Sequence, residues 1–229
     1  MLPVPYGNTS MITTVHEHRP SRRRPVNRDV GVITAEPADV DRLARVLAAA
    51  FHPLTFSRFL IPDDDDRRKI YPEYFKQAYL QPGIAHGIVH RTGDGLGCAV
   101  WFPMGDADEY RPETDPDVDT ALRLLAGQYY PSLVEFDRLL TAAHAAYLTT
   151  PHDFLDVVAA HPAVQRQGNL HQLMQARLPQ LDMLGRPSYL EAAEPYLVPV
   201  YEKFGYRRTA AVIELPNGRM YPMWREPRC

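Results

Sequence analysis

The sequence predicts an α/β fold: a mixed, mostly antiparallel twisted sheet flanked by helices. Three observations carry the expectation. An apolar run, Phe154 to Ala160, leads through a short loop and Gly168 into an apolar-periodic helix, and a second β-type run, Ser188 to Ala192, follows. Two turn signals, Thr92-Gly93-Asp94-Gly95 and Pro216-Asn217-Gly218, each join β-rich runs and read as hairpins. Near the start, Val30 to Thr34 is β-type. Val40, Leu43, Val46, Leu47, Ala50 and Phe51 then share one helical face, which makes a strand–helix opening.

Taken in order, residues 1–28 read as a flexible arm. Pro3, Pro5, Pro20, Pro25 and the run Arg22-Arg23-Arg24 leave too little apolar surface to fold alone. Residues 29–229 read as a single domain. Glu36-Pro37-Ala38-Asp39 starts the first helix, with proline in the first turn and acids beside it. His52-Pro53 ends it, because a proline disfavours helix at the residue before it. Phe51 to Pro62 reads as aromatic and irregular. Asp63 to Asp66 start the next helix, with Arg67-Arg68-Lys69 one turn on, and it runs to about Leu80. Four adjacent aspartates do not aim at one ion, so no metal site is expected there.

His86 to His90 and Gly97 to Phe102 are the strands of the first hairpin, and Pro103 is expected to stop the second. An acidic, proline-rich loop covers 105–117. Asp117 to Tyr147 reads as two helical pieces broken near Pro131, so about 106–148 is an extra helical insertion before the fourth strand. The last hairpin joins Arg207 to Leu215 with Arg219 to Arg225.

Bulk properties exclude several classes. A net charge of −3 gives no attraction to nucleic acid or to an anionic membrane. No apolar run approaches the length of a membrane span. Two cysteines, Cys98 and Cys229, make no disulfide framework, and no apolar leader core precedes the basic cluster, so a cytoplasmic protein is expected.

The strand, glycine-bearing turn and helix start at 154–170 form a place to hold phosphate. The first amides of a helix lack internal partners, and the dipole adds about half a positive charge. This stretch resembles the core of the GNAT N-acetyltransferases. Gln165-Arg166-Gln167-Gly168-Asn169-Leu170 matches the turn by which that family grips the pyrophosphate of acetyl-coenzyme A. Tyr201-Glu202-Lys203-Phe204-Gly205-Tyr206 matches its Tyr-x-x-x-Gly-aromatic signature. Within the family, the order Pro187-x-x-Leu190-Glu191, Pro199-x-Tyr201-Glu202 and a last hairpin ending in Arg225-x-Pro227 is similar to the antibiotic-modifying, puromycin N-acetyltransferase-like branch. The good resemblance covers about 150–228 and a looser one runs from about 30.

The resemblance implies a GNAT-like fold and acetyl-CoA-dependent acetylation of a small-molecule amine such as an antibiotic or secondary metabolite. A homodimer is left open. Gln165 to Leu170 would hold the diphosphate. Val158 and Ala160 match the positions that face the pantetheine arm and polarise the thioester carbonyl. Tyr201 matches the acid that protonates the departing thiolate. A phenol near pKa 10 and a thiol near 8.5 make that transfer cost about 2 kcal/mol at most. Glu191, then Asp156, are the candidate bases for the amine, with Glu194 and His161 behind them. Phe56, Tyr129, Tyr130 and His144 are candidate acceptor contacts.

Three positions depart from the family pattern. Leu170 stands where the family has Gly or Ala, Leu197 stands where it often has Asn, and Pro179 interrupts the helix after the turn. They motivate an alternative: a GNAT fold with altered or lost acetyl-CoA use, which catalyses another reaction in secondary metabolism or only binds a ligand.

Overall fold

The computed structural model describes residues 31–105 and 115–228. The expected arm (1–28), Val30, most of the loop ahead of the insertion (106–114) and Cys229 lie outside the described residues. Among the described residues the sheet is mixed and has eight strands: β1 (Val32–Thr34), β2 (Ile88–Thr92), β3 (Gly97–Met104), β4 (His152–Ala160), β5 (Ser188–Ala192), β6 (Arg207–Arg208), β7 (Ile213–Leu215) and β8 (Gly218–Arg225). Their spatial order is β1-β2-β3-β4-β5-β8-β6, with β7 paired to β8. Among the described residues, only the central β4–β5 pair is parallel.

Both hairpins form where the turn chemistry puts them. In the first, the Asp94 carboxylate accepts from Thr92 Oγ1 (2.6 Å) and the Leu96 amide (3.0 Å), and Gly95 takes a positive φ of 61°. In the second, Leu215 pairs with Gly218 around a two-residue loop. The expected strand from Arg207 to Leu215 is two short pieces, β6 and β7, which pair with different ends of β8.

Helices cover both faces. On one lie α1 (Val40–Phe51), α2 (Thr55–Leu60), α3 (Asp64–Phe75), α4 (Gln81–His86), α5 (Pro116–Ala126) and α6 (Tyr130–His144). Leu43 and Leu47 of α1 are wholly buried against Val100 of β3 and Val157 of β4. On the other face α7 (Asn169–Met183) and α8 (Val198–Glu202) bury Leu173, Leu181 and Tyr201 against Trp101 and Leu190.

Four local expectations change. Phe51 to Pro62 is not irregular, since α2 fills it and buries Phe56 and Leu60. The helix begun at Asp64 passes through a π-helical turn, Lys76–Leu80, and continues as α4 to His86. Pro103 does not stop β3. It pairs with Asp153 of β4, beyond Ile88, the last β2 residue that pairs with β3, so its missing N–H falls where only one neighbour flanks the strand. The insertion breaks at the turn Gly127–Tyr129, and Pro131 sits inside the first turn of α6, where its absent donor costs nothing. The acidic run behaves as expected of a helix start. The Asp63 carboxylate accepts from the Asp66 amide, and Asp64 pairs with Arg67 and Arg68.

Candidate active site

The central parallel pair is short. β4 and β5 are in register only at Asp153–Ser188 and Phe154–Tyr189. Beyond them the strands part, and the β5-facing edge of β4 from Leu155 to Ala160 has no strand partner among the described residues. Against β3, Val100 pairs with Val157 but Trp101 with Leu155, so Asp156 is the extra residue of a β-bulge. A bulge re-aims side chains. Here it changes which face the following residues present: Leu155 packs with the α7 face, while Val157 packs with the α1 face.

The gap opens on a cavity of about 1050 Å³. At one end is the turn before α7. Arg166 (φ 62°) and Gly168 (φ 91°) both take left-handed conformations, which Gly168 adopts without penalty as the residue ahead of the helix. The Gly168 carbonyl accepts from the Gln172 amide, while the amides of Asn169, Leu170 and His171 belong to the first turn, which has no helical acceptor. Asn169 is buried, and its Nδ2 has no hydrogen-bond partner. Arg166, within the turn, lines this end and adds a positive charge. His171, Lys203 and Arg228 line the same cavity, Arg228 beside Asp182 at the far end of α7, where its amide donates to that carboxylate. Leu170 packs against the hydrophobic cluster under α7 while lining the cavity. Leu197 packs against both clusters, and α7 continues through Pro179.

A second cavity of about 250 Å³ lies on the α5–α6 side of the gap. The two cavities share the lining residues Tyr79, Phe136, Leu140, Asp156 and Glu191. Glu191 and Asp156 thus stand where they meet, one from each parting strand. Glu191 Oε1 has no hydrogen-bond partner. Burial pushes its carboxyl from the ordinary 4.5 up to about 8, opposed in part by the nearby Tyr189 hydroxyl. Tyr201 of α8 lines the larger cavity, and burial raises its phenol well above 10, so it carries its proton at neutral pH.

Of the residues singled out in the sequence, Asp156, Val158, Ala160, Gln165, Arg166, Gly168, Asn169, Leu170, Glu191 and Tyr201 all line the larger cavity. Gln167 lies in the turn and donates from Nε2 to the Ala163 carbonyl. Phe56 is in the larger cavity's wall, stacked on Phe136 with centroids 5.1 Å apart. Tyr130 and His144 line the smaller cavity. His144 also stacks on Tyr189 (4.2 Å) and meets His152, Nε2 to Nε2 at 2.7 Å. Tyr129 lines neither cavity, and its hydroxyl donates to Asp66 on α3 at 2.9 Å.

Glu194 and His161 also line neither cavity. The Glu194 carboxylate accepts from the Thr55 amide (2.7 Å) at the start of α2, and His161 Nδ1 accepts from the Ala163 amide. Sequence reasoning missed Tyr79. It lines both cavities, and its hydroxyl meets that of Tyr74 at 3.2 Å. A π-helical turn has no periodicity signal that would have found it. Lys203 and His171 were missed as well. Both flank residues the sequence did single out.

Residues 134–226 match the family model described as "Acetyltransferase (GNAT) domain". The fold agrees with solved structures of that kind, and together they support an acyltransferase. An acetyltransferase from Corynebacterium glutamicum, described as histone acetyltransferase HPA2 and related acetyltransferase, is 21% identical, with a TM-score of 0.59 over 87% of this chain and 97% of that one. The arylalkylamine N-acetyltransferase 2 of Aedes aegypti is 9% identical, with a TM-score of 0.55 over 86% of this chain and 98% of that one. The C-terminal condensation domain of Ebony, in complex with beta-alanyl-dopamine, is 10% identical, with a TM-score of 0.56 over 85% of this chain and 97% of that one. At these identities the likeness is one of fold. No helix of the described residues is long and apolar enough to cross a membrane.

Proposed function

We propose that this protein transfers the acetyl group of acetyl-coenzyme A to the amine of a small molecule, such as an antibiotic or other secondary metabolite, in the cytoplasm. The observation that carries the reading is the parting of β4 and β5 over a cavity with an amide-rich, basic helix start at one end and two carboxylates at the other. The residues present fit acetyl-coenzyme A. The open edge of β4, Leu155 to Ala160, offers backbone groups to an extended arm as an added strand would. The amides after Gly168, with Arg166, offer themselves to a diphosphate.

Acetyl-coenzyme A would supply an activated acyl thioester. Val158 and Ala160 would hold its arm and polarise its carbonyl. Glu191, with Asp156 beside the same opening, would take the proton from the attacking amine, and its raised pKa suits a base working near neutral pH. Tyr201 would return a proton to sulfur as the C–S bond breaks and the C–N bond forms. The puromycin N-acetyltransferase-like branch remains our reading of the motif order around Glu191 and Tyr201. A homodimer belongs to the same reading and is checked by light scattering.

Calorimetric titration with acetyl-coenzyme A tests the proposal. Micromolar binding is expected, and no heat at millimolar ligand would sink it. A second reading, a GNAT fold with altered or lost acetyl-CoA use, rests on Leu170 and Leu197. A protein described as a condensation domain shares this fold. Against that reading, Leu170 packs into the cluster under α7.

A further inference from the structure

The smaller cavity narrows the acceptor. It is walled by the π-helical turn and by α5 and α6, and floored by β3, β4 and β5. Six Phe and Tyr rings line it: Tyr74, Tyr79, Phe102, Tyr130, Phe136 and Phe154. Leu122, Leu133 and Leu140 from α5 and α6 line it too, with Asp119, Asp137, Thr141 and His144 among them. Such a wall favours a flat, apolar body, because aromatic pairs gain from edge-to-face and offset contacts beyond the area they bury.

Size sets a second limit. Pockets for drug-sized ligands run from roughly 300 to 1,000 Å³. At about 250 Å³ this one falls below that range. Position sets a third. The cavity meets the larger one at Asp156 and Glu191, so a nitrogen that reacts there must reach back from whatever fills the smaller cavity.

We propose that the acceptor is a compact arylalkylamine: an aromatic body of one or two rings in the smaller cavity, joined by a short chain to an amine at the Asp156–Glu191 junction. The proposal rests on the acetyl-transfer reading for which nitrogen reacts. It narrows that reading away from bulky antibiotics and makes the helical insertion the specificity element.

The test is a substrate series with the full-length protein: 2-phenylethylamine, propylamine and puromycin, each measured for kcat/KM with acetyl-coenzyme A and for equilibrium binding without it. 2-Phenylethylamine should exceed both others by about tenfold or more, since a hydrophobic pocket discriminates on that scale. Ala78, which lines only the smaller cavity, offers a block. Ala78→Leu should weaken 2-phenylethylamine binding about tenfold and leave acetyl-coenzyme A binding within twofold. Equal use of propylamine, or a preference for puromycin, overturns the proposal, and the wild-type series decides it even if the variant does not fold. Arylalkylamine binding without acetyl-coenzyme A binding would sink the transfer reading and leave the cavity assignment standing.

Discussion

The two ends of the candidate site are built differently. The end at Gly168 uses backbone: the first-turn amides of α7 and the open edge of β4. The end under α5 and α6 uses side chains from seven separate elements, among them the π-helical turn and three strands. Backbone sites need special conformations, and those leave marks in a sequence, such as a glycine at φ 91° between a strand and a helix. Side-chain sites leave none, because an aromatic residue lining a pocket is chosen from the same set as one filling a core. The junction, where Asp156 and Glu191 meet, belongs to both kinds.

The largest expected effect sharpens that junction. Glu191→Gln keeps the shape and removes the base. It should lower kcat/KM by 10²- to 10³-fold, the range of general-base catalysis, with acetyl-coenzyme A binding retained. Wild-type kcat/KM should rise with pH to an inflection near 8 that the variant lacks. Stability should move the opposite way. The folded state keeps a proton up to about 8 that the unfolded chain releases near 4.5. Melting temperature should therefore fall as pH rises between those values, and fall less in Glu191→Gln. Equal activity of the two proteins would move the base to Asp156.

Next comes Tyr201→Phe. The ring stays packed with Tyr206 (6.1 Å) and only the hydroxyl is lost. Turnover should fall about a hundredfold with acetyl-coenzyme A affinity unchanged. Unchanged turnover would make Tyr201 a core residue and leave protonation of the thiolate to water. Smaller again is Gly168→Ala, which tests the backbone end by itself. An alanine at φ 91° is strained by about 1–2 kcal/mol. The melting temperature should drop by several degrees, and acetyl-coenzyme A binding should weaken by about tenfold as the turn relaxes. Unaltered binding would mean that the amides after Gly168 do not hold the ligand.

The same contrast explains what could be read in advance. The strand–turn–helix at 154–170 and both hairpins were legible, since Gly168, Gly95 and Asn217-Gly218 sit where only certain residues fit. The buried cluster in which Arg177 and Arg186 close on Asp153 was not, because those residues are 24 and 33 positions from the aspartate. Nor was the bulge at Asp156, which depends on the partner strand's register rather than on any residue type. Glu194 stood behind Glu191 and Asp156 as a candidate base, and only the fold shows it tied to the Thr55 amide.

Tyr129 gives the smallest effect and tests the contrast from the other side. It lies beside Tyr130 in the sequence, both are half-buried, and nothing in the local pattern separates them. In the fold, Tyr130 lines the smaller cavity, whereas the Tyr129 hydroxyl ties the insertion to Asp66 at the start of α3. Tyr129→Phe removes one partly exposed hydrogen bond, so it should cost about 1 kcal/mol or less of stability. Its kcat/KM should stay within twofold of wild type for every amine. A larger change, selective for the bulkier amines, would mean that the tether to α3 sets the position of α6 and hence the width of the cavity. The acceptor end would then be shaped by contacts outside the cavity as well as by the side chains that face it.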